Sequence, residues 1–95
     1  MNVIEEWVIV MKVLKFSAVW CGSCLVMKPI WKEVINEIPN TEFIEYDYDL
    51  DEDEVLRYNV GDKLPVFILL NEDGEEIKRL IGEKKKEDII SFIKE

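Results

Sequence analysis

The chain has 95 residues, 48% of them hydrophobic, which is enough for one domain with its own core and too little for two. A net charge of −9 repels nucleic acid and anionic lipid, and no basic aromatic patch offsets it. With no histidine and two cysteines, Ser-His-Asp and Cys-His chemistry are excluded and one chain cannot complete a tetrahedral zinc site. Chemistry is left to thiols, carboxylates, lysines and hydroxyls.

Residues 1–10 are ambiguous. Val3, Trp7 and Val10 fit a helical face, while residues 7–11 could instead extend the strand that follows. Glu5 and Glu6 precede any apolar stretch, the reverse of a secretory signal, so the expected location is the cytoplasm. Met11 opens the recognisable pattern, and one reading starts the native chain there with residues 1–10 as an extension; otherwise residues 1–95 form a single domain.

Residues 12–18 (KVLKFSA) are a predicted strand ending on small residues just before the cysteines. A helix is expected from Gly22 to about Ile38, because Met27, Ile30, Trp31, Val34, Ile35 and Ile38 recur at three- and four-residue steps. Pro29 should kink it, and Pro39 with Asn40 should stop it. Residues 41–48 (TEFIEYDY) are a second strand, and residues 51–58 a short helix with acidic residues at its positive end.

Residues 64–70 (LPVFILL) are continuous enough in apolar character for a strand buried on both faces. Asn71, Glu72, Asp73 and Gly74 signal a hairpin turn, and residues 76–81 return as an antiparallel edge strand. A last helix over residues 85–94 turns Ile89, Ile90, Phe92 and Ile93 inward. Lysines 84, 85 and 86 at its start are expected to be solvated. Neither apolar run, residues 8–11 or 65–70, is long enough to cross a bilayer.

The order β-α-β-α-β-β-α implies an α/β fold, a four-stranded mixed sheet flanked by helices on both faces. Trp31, Phe43, Phe67 and Phe92 are expected in its core, and Tyr46 and Tyr48 as packing residues. The acid concentrated in residues 42–54 is most simply a solubilising surface.

Cys21 and Cys24 lie where the first strand turns into a helix. Residues three apart on a first helical turn have Cα atoms about 5–6 Å apart, within disulfide range. Cys21 stands at the helix N-terminus, where free N–H groups and the macrodipole favour negative charge, so it is the expected attacking thiolate. Cys24, one turn in and more buried, would resolve the mixed disulfide. Gly22 lets a substrate approach closely, and Trp20 supplies an apolar wall beside the thiol. The spacing is also half a zinc site, but no second half follows.

The motif Trp20-Cys21-Gly22-Ser23-Cys24 resembles the thioredoxin signature W-C-G-P-C at four of five positions. Further likenesses run along the chain: Phe16, Ser17 and Ala18 before the motif, Pro29 in the helix, Leu64-Pro65-Val66, and Gly82 ahead of the last helix. The resemblance implies that the Leu64–Pro65 peptide is cis and faces the cysteines, holding the Leu64 backbone open for a substrate strand and keeping metals off the thiols. It also implies that Trp20, Leu64 and Gly82 contact substrate. No metal and no cofactor is implied beyond a redox-active Cys21–Cys24 disulfide.

Three departures stand out. Ser23 replaces the signature's proline, removing a fixed φ and adding a hydrogen-bond donor. Lys15 stands where the family has a buried aspartate, and by an ungapped count Glu45 stands at its partner lysine's position, a charge-reversed pair. The simpler expectation is that Lys15 snorkels to an open face of the sheet; the alternative is that Glu45 acts as a base while Lys15 stabilises a thiolate. Finally, the family's full N-terminal strand and helix are missing, leaving the minimal four-stranded form.

The resemblance implies a thiol–disulfide oxidoreductase acting on protein disulfides as a monomer, recharged by a thioredoxin-reductase-type donor, with no nucleic-acid or membrane partner. Two alternatives stay open. One is a glutaredoxin-like, glutathione-dependent reductase, although only Gly82-Glu83 stands where glutaredoxins carry Gly-Gly-Asp. The other is an interaction subunit in which the cysteines are dispensable.

Overall fold

The computed structural model describes residues 11–38 and 41–94. The reading of residues 1–10 and the stop at Pro39-Asn40 lie outside the described residues. The elements are β1 (Met11–Ser17), α1 (Gly22–Glu37), β2 (Thr41–Asp47), α2 (Glu52–Arg57), β3 (Val66–Leu70), β4 (Glu76–Ile81) and α3 (Lys86–Lys94). Their order and type are those predicted, with ends moved by one or two residues. β3 begins at Val66 because Pro65 has no N–H to give to a ladder.

The four strands lie in the order β2-β1-β3-β4. β1 runs parallel to β2 and antiparallel to β3, and β3 runs antiparallel to β4. Strand periodicity sorts the side chains to two faces. Val13, Phe67 and Leu69 meet Met27, Trp31 and Val34 of α1 and Ile89, Phe92 and Ile93 of α3. Leu14, Phe16, Val66, Ile68 and Leu70 pack on the other face with Val55, Val60 and Leu64. All five residues of β3 are buried, as its unbroken apolar run implied. Phe43, Tyr46 and Tyr48 are half-buried against these clusters, and Ile35 is exposed, outside the core stripe of α1.

Lys85 is exposed at the helix start as expected, whereas Lys86 is partly covered and paired. Its ammonium lies 3.2 Å from Glu33 and also bonds Glu37, so it joins α3 to the C-terminal half of α1. No helix among the described residues is long and apolar enough to cross a membrane.

The β3–β4 turn is held by the Asn71 side chain, whose Oδ1 accepts from the Asp73 and Glu75 amides. Gly74 takes φ +83° there with open space around it, so an added Cβ meets backbone strain and nothing else. Gly74→Ala should therefore cost about 1–2 kcal/mol, the left-handed penalty for an L residue. That lowers the thermal midpoint by roughly 5–10 °C, measurable by circular dichroism.

Candidate active site

β1 delivers the chain to one end of the sheet, and a tight turn leads it into α1. The Cys21 amide donates to the Ala18 carbonyl at 3.2 Å, closing the turn. Cys21 is the N-cap of α1, with extended backbone (φ −93°, ψ 112°). Its Sγ accepts the Cys24 amide at 3.2 Å, the bond a serine or aspartate makes at an ordinary N-cap. A sulfur thus sits where the helix presents an unsatisfied donor and the positive end of its dipole, a place suited to a thiolate.

Both cysteines are free thiols and both are buried, Cys24 slightly more than Cys21. Burial, reinforced by a hydrogen bond with the Cys21 sulfur, pushes the Cys24 thiol up to about 11. A hydrogen bond with the Ala18 backbone and the charge of Lys15 pull it back the other way. The two sulfurs therefore sit in different surroundings one helical turn apart. Gly22 is exposed with nothing near the position of a Cβ, and Ser23 is half-buried.

Lys15 does not snorkel. Its side chain is 2% exposed, because β1 is flanked by strands on both sides and α1 covers the face on which it stands. Lys15 and Glu45 are direct cross-strand partners of β1 and β2, as the ungapped count placed them. Nζ lies 3.2 Å from Glu45 Oε2 and 5.5 Å from the centre of the Trp31 ring. Ser17 Oγ donates to the same carboxylate oxygen at 3.4 Å. Glu45 is half exposed, so the pair spans from core to solvent.

Lys15, Ser17, Glu45 and Cys24 line one cavity of about 440 Å³ together with Val19, Leu25, Lys28, Asp47 and Asp51. The buried thiol and the ion pair thus share a recess that opens beside the motif. The Leu64–Pro65 peptide is cis, and both residues are buried; Leu64 belongs to the same core cluster as the two cysteines. The Gly82 amide donates to the Pro65 carbonyl at 2.8 Å, with Gly82 at φ +96°. Trp20 is 56% exposed; its Nε1 donates to Asp49 Oδ2 at 2.8 Å, and its ring meets Tyr48 edge-on.

A family model described as thioredoxin matches residues 5–95. The chain belongs to the thioredoxin family. It is 36% identical over 75 residues to a thioredoxin H-type of Fagopyrum esculentum, covering 79% of this chain and 63% of that protein. It is 31% identical over 80 residues to a thioredoxin of Chlamydia trachomatis, covering 84% and 76%. Among solved structures it superposes on mitochondrial thioredoxin 3 of Saccharomyces cerevisiae with a TM-score of 0.79 and 31% identity, covering 88% and 76%. The thioredoxin of Schistosoma mansoni gives a TM-score of 0.82 at 28% identity, covering 95% and 82%. The chain spans 53–63% of the length of the plant relatives it matches first.

The fold brings Cys24, Lys15 and Glu45 to one recess, joins Cys21 to Cys24 through the N-cap bond, and places Leu64 in the core cluster of the two cysteines, with Pro65 buried next to it in the chain. The sequence reading missed Asp49 as the partner of Trp20, and Ser17, Leu25, Lys28, Asp47 and Asp51 as cavity walls. No local pattern marked Asp49, because the bond crosses from one strand–helix turn to the next.

Proposed function

We propose that this chain is a thiol–disulfide oxidoreductase that reduces protein disulfides through Cys21 and Cys24. The observation that carries the reading is the N-cap sulfur of Cys21 receiving the Cys24 amide, one turn from a thiol that burial keeps protonated. The Cys21 thiolate attacks one sulfur of a substrate disulfide. A Cys21–substrate bond forms, and the other substrate sulfur leaves as a thiolate that takes a proton. Cys24 then gives up its proton and attacks the Cys21 sulfur. The intramolecular disulfide forms, and the second substrate sulfur leaves, so the substrate gains two electrons and the Cys pair loses them. A thioredoxin-reductase-type donor restores the dithiol. We place the work in the cytoplasm, where thiols are kept reduced.

In this reading Trp20, Gly22, Ser23, Leu64, Pro65 and Gly82 frame the approach of the substrate strand. The test is the reduction of insulin disulfides by dithiothreitol with and without the chain. Strong acceleration supports the reading, and a rate equal to dithiothreitol alone ends it.

Lys15 and Glu45 serve the second step in this proposal. Glu45 takes the Cys24 proton, directly or through water in the shared cavity, and Lys15 stabilises the charge left on the sulfur. Their shared cavity with Cys24 and the downward pull of Lys15 on that thiol support this. Glu45→Gln is expected to slow release of the second substrate thiol about a hundredfold at neutral pH, the low end for a positioned base. Lys15→Met removes a cation that favours the thiolate, so the rate should climb with pH later than in the wild type. An unchanged rate and pH profile in both variants would remove the pair from the mechanism.

A further inference from the structure

We infer that the face beside the thiols is a docking surface for polypeptide disulfides whose cysteines are flanked by lysine or arginine. This rests on the thiol–disulfide reading and names the substrate class it prefers. Beside the motif and along the turn after β2 the surface exposes apolar side chains. Val19 is 82% exposed, Leu50 83%, and Trp20 and Leu25 are each more than half exposed. The recess between Val19, Leu25 and Cys24, about 440 Å³, has room for a long side chain.

The far wall of that recess is acidic. Asp47 and Asp51 line it together with Glu45, and Asp49 is tied to the Trp20 indole beside them. Glu52, Asp53 and Glu54 continue the acid into the first turn of α2. From residue 42 to residue 54 there is no lysine or arginine. Lys15 is occupied by Glu45, so Lys28 is the cation left to oppose this wall among the residues that line the recess.

The wall is also fixed in shape. Asp47 Oδ1 accepts the Asp49 and Leu50 amides at 2.8 and 3.0 Å, Asp51 Oδ2 accepts the Asp47 amide at 2.7 Å, and the Tyr48 amide donates to the Ser17 carbonyl at 2.8 Å. Leu50 is therefore held out in water by a hydrogen-bonded turn instead of folding inward.

An apolar floor with an acidic rim fits a side chain that has an aliphatic stem and a cationic head. An arginine can in addition stack on the exposed Trp20 ring. A second copy of this chain would bring a charge of −9 and its own acidic wall, so charge argues against it as the occupant. Charge complementarity of this kind acts first on the encounter rate and is screened by salt.

The test uses two peptide disulfides of equal length, one with lysines flanking each cysteine and one with glutamates. The acceleration by the chain over dithiothreitol alone is measured for each, which cancels the peptides' own reactivity. At about 20 mM salt the lysine peptide should be accelerated at least about tenfold more, the lower end of electrostatic steering. At about 0.5 M salt the ratio should shrink severalfold, as the Debye length falls below the width of the recess. The triple variant Asp49→Asn, Glu52→Gln, Asp53→Asn should narrow the ratio at low salt; because both peptides meet the same protein, a loss of folding cannot mimic that. Equal acceleration, a preference for the glutamate peptide, or a ratio indifferent to salt overturns the inference. Acceleration of neither peptide overturns the redox reading instead.

Discussion

Cys21→Ser is expected to lower disulfide reduction by at least about a thousandfold, the scale on which loss of a nucleophile is felt. A serine hydroxyl at the N-cap still accepts the Cys24 amide, so the helix start survives and the loss belongs to the chemistry. Cys24 cannot take over, because burial, the largest cause of its raised value, persists in the variant and disfavours its thiolate. Cys24→Ser should fail differently. Its Cys21 still attacks, the first substrate thiol still leaves, and the reaction stops at the Cys21–substrate bond, since a hydroxyl does not displace sulfur. Intact-mass spectrometry under non-reducing conditions should find the covalent adduct on Cys24→Ser and none on Cys21→Ser. Wild-type turnover in both variants would mean that the fold acts without its sulfurs.

The largest loss of stability should come from Trp31→Ala. Trp31 is 4% exposed on α1 and packs edge-on against Phe43 of β2 and tilted against Phe67 of β3, each at 5.3 Å between ring centres. It also carries the Lys15 ammonium over its face. Truncation removes an aromatic bridge between helix and sheet and opens a cavity beside a buried charge, at about 3–5 kcal/mol. A 95-residue domain is stable by roughly 5–14 kcal/mol in total, so this is a large share of it. The thermal midpoint should fall by roughly 15–30 °C. Trp31→Phe, which keeps a ring, should lose much less. A midpoint within a few degrees of the wild type for Trp31→Ala would show that the helix–sheet contact is not what holds this face.

The frame of the fold was legible because its signals are periodic. The apolar steps along α1, the unbroken run of β3 and the Asn71–Gly74 turn each map to one element. The cysteine pair was legible because strand, turn and helix surround it in sequence as they do in space. Lys15 was harder. The simpler expectation let it snorkel to an open face of the sheet, as a lysine usually can, and only the sheet order shows strands on both sides of β1. Its partner could be named because an ungapped count along the family's pattern falls on Glu45, and the parallel register of β1 and β2 sets the two side by side. Asp49 was not legible, since an irregular turn leaves no period to read. Lys86 was hidden for a related reason: its bridges to Glu33 and Glu37 depend on how α3 crosses α1.

The position of β1 between β2 and β3 has a consequence for biosynthesis. The strand that precedes the cysteines pairs on one side with β2 and on the other with β3, which ends at Leu70. A nascent chain therefore exposes both sulfurs to the surrounding redox buffer long before the sheet that shelters them can close. Until Leu70 has left the ribosome, Cys21 and Cys24 lack that shelter and are open to exchange with any passing disulfide.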